Sequence, residues 1–255
     1  MSTSNSTLPQ MNGSLFLTDG GIETTLIFHD GFDLPYFAAF DLFKDEKGTR
    51  ALRRYFARHA SIARKTGAGF ILESPTWRAS KDWADKLGYS AAQLEEVNRK
   101  AIRLLRDIKA EYETPASKMV ISGCIGPRGD GYDPGNVMSP EEAQAYHSQQ
   151  VRIFADEGVD MVSAITMTNV PEATGITQAA QDAGLPVARS TTVIALPRLS
   201  PVGRLPSVST VNEITTGRPA CCAAWVMPIA SWTLVMVIAE TMSTPSSAKI
   251  RTCCE

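Results

Sequence analysis

The sequence contains few of the residues that usually mark a secreted protein or a hydrolase. It has three histidines and five cysteines in 255 residues, and no HExxH, GxSxG or CxxC motif. These absences argue against the common metallopeptidase, serine-hydrolase and dithiol classes. Four of the cysteines form the adjacent pairs Cys221–Cys222 and Cys253–Cys254. Because neighbouring cysteines are poor partners for each other, the sequence does not indicate a disulfide framework.

A strong charge bias and an export signal are also missing. The formal net charge is -2, with 44% hydrophobic residues, so the sequence predicts a globular protein without a nucleic-acid partner. Residues 1–14 are rich in Ser, Thr and Asn, and they have neither the basic nor the apolar section of a signal peptide. We therefore expect a disordered lead-in over 1–14 and a cytoplasmic protein.

Residues 15–188 alternate short apolar runs with longer amphipathic ones, which is typical of a parallel sheet covered by helices. Two of the predicted helices begin at Ser90 and Ser139, which are good N-cap residues. The leading prediction is an α/β protein of the (β/α)8 TIM-barrel type, with an open doubly wound sheet as the alternative. About five βα units fit, and we predict strands at 14–21, 68–74, 118–127, 159–166 and 185–190.

The segment 189–255 has a different character. It contains no Asp and three glutamates, and its Pro, Ser and Thr residues follow neither a helical nor a strand period. We predict an atypical tail that leaves the barrel incomplete or divergent, and we hypothesise that the reading frame shifts near Arg189. A transcript that is intact across codon 189 would contradict that hypothesis. A fragment of five strands would expose a sheet edge, so we also expect self-association.

The uncharged run 220–239 within this tail is long enough for a membrane span. It is only moderately apolar, and Pro228 and Ser231 interrupt it. A transmembrane helix is therefore not the favoured interpretation, although a membrane-tethered protein remains one of three function hypotheses.

Candidate binding residues follow the predicted strands. Asp19-Gly20-Gly21 comes after the first strand, where two glycines let a ligand approach the backbone and a carboxylate can hold an ammonium group. A tight turn is the alternative interpretation. The stretch 73–80, "ESPTWRAS", places Trp77 where it can form an apolar or cation-binding wall, with polar contacts from Glu73, Thr76 and Arg78. A helix N-terminal turn with a packed tryptophan explains this stretch equally well.

The remaining candidates are a loop and three single residues. The loop 123–132, "GCIGPRGDGY", is rich in glycine and exposes its backbone, but it lacks the GK[ST] ending of a phosphate-binding loop. Within it, Cys124 is expected to be a small buried hydrophobe. His59 and His147 lie in amphipathic helices and are expected to be structural or solvent-facing.

Four motifs together resemble the homocysteine S-methyltransferase family, which includes betaine–homocysteine and S-methylmethionine–homocysteine methyltransferases. The resemblance implies a (β/α)8 barrel that transfers a methyl group from a small donor to the sulfur of homocysteine. It also implies a Zn²⁺ ion that binds this sulfur as the thiolate, which is the nucleophilic form. The motifs cover residues 15–188 in the expected order: "LTDGGIETTL" (17–26), "ESPTWRAS" (73–80), "ISGCIGPRGDGY" (121–132) and "VPEATGITQAAQDAGLPVA" (170–188).

Residue by residue, the resemblance assigns Asp19, with Gly20 and Gly21, to the amino group of homocysteine. It assigns Thr76 and Trp77 to the methyl-donor side of the pocket. Many family members also have a glutamate at the end of the fourth strand, where this sequence has Ile165 and Thr166. The loss of that glutamate is expected to weaken amino-acid binding or to mark a subgroup with another substrate.

The zinc motif of the family does not match. Family members supply one cysteine from "NC" and two from "GGCCG", whereas this sequence has "PACC" and "RTCCE". We therefore do not assign Cys253 and Cys254 as metal ligands, and catalytic activity is in doubt. Two further hypotheses stand beside the membrane-tethered one: a methyltransferase, and a non-catalytic remnant that binds a small amino acid through Asp19.

Overall fold

The computed structural model of the chain describes residues 8–131, 133, 135–194, 208–215 and 225–227, with only the backbone described from 189 onward. Seven strands form one sheet in chain order: β1 (Phe16–Thr18), β2 (Gly69–Glu73), β3 (Met119–Ile125), β4 (Met161–Met167), β5 (Val187–Ile194), β6 (Val208–Thr215) and β7 (Trp225–Met227). The first five pair in parallel.

Six helices connect and cover the parallel strands: α1 (Ile22–Thr24), α2 (Glu46–Thr66), α3 (Lys81–Lys86), α4 (Ala91–Tyr112), α5 (Pro140–Asp156) and α6 (Val170–Asp182). A π-helical turn, Thr25–His29, continues α1, and short 3-10 helices lie at Pro9–Asn12, Pro35–Phe37 and Ala39–Lys44. The predicted starts of α4 and α5 are confirmed, because Ser90 and Ser139 each form a capping box with the residue three positions later.

The two faces of the parallel sheet bury different side chains. One face packs Phe70, Leu72, Ile121 and Val162 into the main core beneath the helices. The other face is the interior of the curved sheet, where Phe16, Ile71, Val120 and Met161 form a second apolar cluster. The N-terminal 3-10 helix closes this cluster, since Leu8 belongs to it and Met11 packs against it.

The prediction of parallel βα units is confirmed for β1–β5, which form about half of a barrel. The described chain then departs from the (β/α)8 pattern, because β6 runs antiparallel to β5 and β7 antiparallel to β6. A complete barrel requires parallel neighbours throughout, so these strands do not continue it. The tail, whose sequence shows neither a helical nor a strand period, thus contributes two strands. β6 is rich in β-branched residues, which favour strands.

The pairing of β6 also changes the expected sheet edge. β6 pairs along all of β5, from Val187 with Thr215 to Ile194 with Val208. The outer side of β5, which a five-stranded fragment would leave open, is therefore hydrogen-bonded. Among the described residues, no helix is long and apolar enough to cross a membrane. The run 220–239 lies outside the described residues except for 225–227.

Candidate functional site

The candidate site lies at the carboxyl ends of β1–β4, on the interior side of the curved sheet. Side chains alternate along a strand, so Glu73, Ser122 and Ser163 lie on the same face as the apolar cluster of the interior, two residues further along their strands. Asp19 follows β1 directly, and Glu23 lies on α1 one turn later. Three carboxylates thus converge where barrel enzymes place their active sites.

Asp19 is held by the helix that packs behind β1. The Tyr55 hydroxyl on α2 donates to Asp19 Oδ2 over 2.9 Å and lies 3.1 Å from the Gly20 carbonyl oxygen. Gly21 has a φ of 61°, a left-handed conformation that suits glycine. Burial raises the pKa of Asp19, and this effect outweighs the Tyr55 hydrogen bond and the nearby His59 ring. The turn therefore presents a positioned carboxyl group.

Glu23 and Glu73 are partly buried acids whose pKa values are raised. Burial raises the pKa of Glu23 to about 7, and the charge of Asp19 adds to the effect while Arg78 opposes it. Burial likewise raises the pKa of Glu73 to about 7, although Ser163 Oγ donates to Glu73 Oε1 over 2.7 Å. Glu73 Oε2 is buried and finds no partner within the described chain. A bound cation would therefore favour the ionised form of both acids.

A hydrogen-bonded serine pair lies beneath these acids. The hydroxyls of Ser122 on β3 and Ser163 on β4 are 2.6 Å apart, and both residues are almost fully buried. The neighbouring thiol of Cys124 is also buried, as expected from the sequence. Burial, together with the charges of Glu73, Glu23 and Asp19, raises the pKa of Cys124 well above its ordinary value. Cys124 is therefore a neutral thiol here and a poor nucleophile.

Aromatic side chains form a second part of the site at this end of the sheet. The Trp77 indole Nε1 donates to Thr166 Oγ1 at the end of β4 over 3.0 Å. The Arg78 guanidinium lies 4.1 Å from the centre of the Trp77 ring and 3.7 Å from that of Trp83. It also donates to the Gly129 carbonyl oxygen over 3.1 Å. Arg78 thus connects the loop after β2 with the glycine-rich loop after β3.

Thr76 takes a different position from Trp77. Its side chain is completely buried, and its hydroxyl donates to the Cys124 carbonyl oxygen over 2.7 Å. Ser74 Oγ lies 2.6 Å from the same hydroxyl and accepts from the Cys124 amide over 2.8 Å. The expected contact of Thr76 with a methyl donor stays a prediction. The observed hydrogen bonds fix the loop that presents Trp77.

Among the histidines, His147 is structural. It is buried in α5, and its Nε2 lies 3.0 Å from Glu172 Oε1. Burial acts to raise the pKa of Glu172, but the His147 contact and the Arg128 amide together lower it by more. The net shift of the Glu172 pKa is therefore downward. Glu172 accepts that amide over 2.7 Å and so supports the start of the glycine-rich loop.

The structure brings the predicted residues Asp19, Gly20 and Trp77 to the same end of the sheet. Sequence reasoning missed Glu23 and Tyr55. Glu23 could have been found, because a glutamate in the first helical turn after a glycine pair lies close to the residue before that pair. Tyr55 lies within an amphipathic helix, where no local pattern marks it as part of a site, and its contact with Asp19 spans 36 residues of sequence.

The described residues do not fit a zinc site. Nowhere in the described ranges do three His, Cys, Asp or Glu side chains group so that they could hold a metal ion. Cys124 is the only cysteine whose side chain is described, and it favours the protonated form, whereas zinc binds the thiolate. Cys221, Cys222, Cys253 and Cys254 lie outside the described residues.

Comparison with known proteins connects this chain to a family. A betaine–homocysteine S-methyltransferase from Drosophila melanogaster is 28% identical over 132 residues, which are 46% of this chain and 40% of that protein. The fold is similar to that of the homocysteine methyltransferase MmuM from Escherichia coli. The TM-score with its metallated form is 0.54 at 19% identity, covering 66% of this chain and 59% of that one. Its oxidized form has the same score and covers 58% of that chain.

The chain therefore matches between about two fifths and three fifths of these relatives' lengths. A model of the family described as homocysteine S-methyltransferase matches residues 16–221, which is most of the chain and extends beyond the expected limit at 188. This chain belongs to the homocysteine S-methyltransferase family.

Proposed function

We propose that the chain binds the ammonium group of homocysteine at Asp19, Glu23 and Glu73 and acts in methyl transfer from a small donor to the homocysteine sulfur. The observation that carries this proposal is the convergence of three carboxyl groups at the carboxyl ends of β1 and β2. A cation placed among them favours the ionised carboxylates and so opposes the burial, and the smaller repulsion from Asp19, that raise the pKa of Glu23 and Glu73. Family membership supplies the identity of the amino acid.

Binding at this site is coupled to proton release. Burial raises the pKa of Glu23 and of Glu73 to about 7, and an ammonium ligand favours their ionised forms. Affinity therefore increases as pH rises from 6 to 8, and binding at pH 7 releases protons to the buffer. Calorimetry in buffers of different ionisation enthalpy measures that release directly, and a flat affinity between pH 6 and 8 contradicts the arrangement.

The direct test is titration with L-homocysteine. Asp19→Asn keeps the shape of the side chain and removes its charge, so we expect affinity to fall at least about tenfold, because hydrogen bonds to charged groups contribute roughly 1.5–3 kcal/mol. Glu46→Gln removes an exposed carboxylate from the first turn of α2, far from the site in sequence, and serves as the control. Equal affinity of Asp19→Asn and wild type would overturn the proposal.

The second candidate function is non-catalytic binding of a small amino acid. It is favoured by the neutral thiol of Cys124 and by the lack of a metal-ligand group among the described side chains. The metal remains an expectation from the family. Zinc content together with methyl transfer from glycine betaine separates the two functions. Homocysteine binding without stoichiometric zinc or turnover supports the non-catalytic function.

The cysteines at the end of the chain give that test a specific variant. We expect the double substitution Cys253→Ser and Cys254→Ser to change neither zinc content nor melting temperature, because their sequence context does not match the zinc motif of the family. Loss of stoichiometric zinc in this variant would identify these residues as ligands and would restore the catalytic proposal. The melting temperature would then fall as well, because metal binding contributes directly to folding stability.

A further inference from the structure

Thr166 adopts a costly backbone conformation at the end of β4. Its φ is 56°, in the left-handed region that is a genuine outlier for a β-branched residue. The conformation coincides with a shift in the pairing of β4 with β5 between Ala164 and Met167. Such strain persists only where surrounding contacts hold it. At Thr166, the strained conformation is accompanied by the hydrogen bond from Trp77.

The Thr166 hydroxyl accepts one hydrogen bond and donates another. Its oxygen accepts from Trp77 Nε1 over 3.0 Å, and its hydrogen points to the Ile165 carbonyl oxygen 2.7 Å away. The hydroxyl hydrogen is thereby directed away from the indole, which leaves a lone pair for the Nε1 hydrogen. Valine at this position would keep the shape of the side chain and lose both interactions.

The glycine-rich loop is shaped to the same indole. A Cβ atom at Gly126 would lie 2.2 Å from the Trp77 carbonyl oxygen and 2.5 Å from its Cδ1, both far inside contact distance. A Cβ atom at Gly131 would lie 3.5 Å from Trp77 Cζ2 and 3.9 Å from Thr166 Oγ1. Three segments, after β2, after β3 and at the end of β4, thus meet at this one ring.

We propose that Thr166 is a positioning residue that holds the Trp77 indole as the wall of the aromatic side of the pocket. It thereby sets the affinity for a methylated ligand on that side without affecting the carboxylate side. This inference rests on the proposed function, since it assumes that the amino acid occupies the side of Asp19. The physical reason is pre-organisation: a wall already fixed in the free protein loses less conformational entropy when a ligand binds.

The test uses two probes on the full chain, glycine betaine for the aromatic side and L-homocysteine for the carboxylate side. Thr166→Val is expected to weaken betaine binding about fivefold, in line with a net hydrogen-bond contribution of about 1 kcal/mol. Thr166→Ser keeps the hydroxyl and is expected to stay within about twofold of wild type. Homocysteine affinity is expected to be unchanged in both variants.

A third variant separates positioning from folding. Thr166→Gly removes the hydroxyl and the backbone strain together, so we expect a higher melting temperature than for Thr166→Val together with equally weak betaine binding. Trp77→Phe keeps an aromatic ring without the N–H donor. Its effect on betaine affinity and that of Thr166→Val are expected to be non-additive in the double variant, because both remove the same hydrogen bond.

Each outcome decides the inference. Unchanged betaine affinity in Thr166→Val, additive effects in the double variant, or no betaine binding by the wild type overturns it. If homocysteine binding still depends on Asp19 in those cases, the proposed function stands alone. If betaine affinity depends on Thr166 while homocysteine does not bind, the positioning role stands and the proposed amino-acid site fails.

Discussion

The lower and upper layers of the sheet interior come from the same strands and have opposite chemistry. The lower layer, defined by Phe16, Ile71, Val120 and Met161, is apolar and closed by the N-terminal 3-10 helix. In the upper layer, defined by Glu73, Ser122 and Ser163, the Ser163 hydroxyl donates to the Glu73 carboxyl over 2.7 Å and lies 2.6 Å from the Ser122 hydroxyl. A shift of two residues along a strand therefore separates the packed core from the candidate site.

The difference shows which layer stabilises the fold and which one lowers its stability. Apolar side chains in the lower layer gain free energy by leaving water. The upper layer buries an acid whose pKa is raised from its ordinary value of 4.5 to about 7, so its ionised form opposes folding at neutral pH. Residues retained at such a cost are candidates for function.

The largest expected effect comes from opening the lower layer. Ile71→Ala removes a fully buried side chain between strands β1 and β3, and we expect a loss of about 3 kcal/mol in the free energy of unfolding, within the usual range for such truncations. Urea denaturation measures the loss. Ile62→Ala, on the exposed side of α2, is the matched control and is expected to change stability by less than about 0.5 kcal/mol. A loss below about 1 kcal/mol at Ile71 would mean that this layer is not closely packed.

A smaller effect, with the opposite sign, is expected in the upper layer. The folded-state pKa of Glu73, about 7, exceeds its ordinary value of 4.5, so the native state binds the extra proton and stability falls as pH rises through that window. Glu73→Gln keeps the shape without the ionisation. We expect it to stabilise the protein by about 1–3 kcal/mol at pH 8 and by nearly nothing at pH 5.

Thermal unfolding at the two pH values checks the Glu73→Gln prediction, with Glu46→Gln as the exposed control. A variant that is less stable than the wild type at pH 8 would show that the carboxylate contributes favourably to folding. The same variant is expected to weaken homocysteine binding, so a gain in stability would accompany a loss of affinity.

The sequence predicted the five parallel strands well, because buried parallel strands are short apolar runs bounded by turns. The capped starts of α4 and α5 were predictable for the same local reason, since Ser90 and Ser139 act within one turn of their own helices. The turn at Asp19 was found from its glycines, and the candidate site could therefore be located from the sequence.

The composition of the site was harder to predict, because its contacts join distant segments. Trp77 meets Thr166 across 89 residues, and Glu73 meets Ser163 across 90 residues. No local pattern contains such a pair. Where many family members have a glutamate, this chain has Ile165 and Thr166, and the Thr166 hydroxyl accepts a hydrogen bond from the Trp77 indole. The antiparallel β6 was missed for a related reason, since strand direction depends on the connection between the strands.

The smallest expected effect comes from the hydrogen bond that joins the upper-layer acid to β4. Ser163→Ala removes the donor to Glu73 Oε1, which matters most when Glu73 is ionised. We expect a loss of about 1 kcal/mol at pH 8 and a smaller loss at pH 5, where the protonated acid can donate to Ser122 instead. Because the Ser163 bond lowers the pKa of Glu73, its removal is also expected to move the titration of Glu73 above 7. The pH dependence of thermal stability measures both effects.

The control is Ser148→Ala, which removes a hydroxyl bonded to its own helix. Equal losses of stability at pH 5 and pH 8 in Ser163→Ala would show that the serine acts through packing rather than through the charge of Glu73.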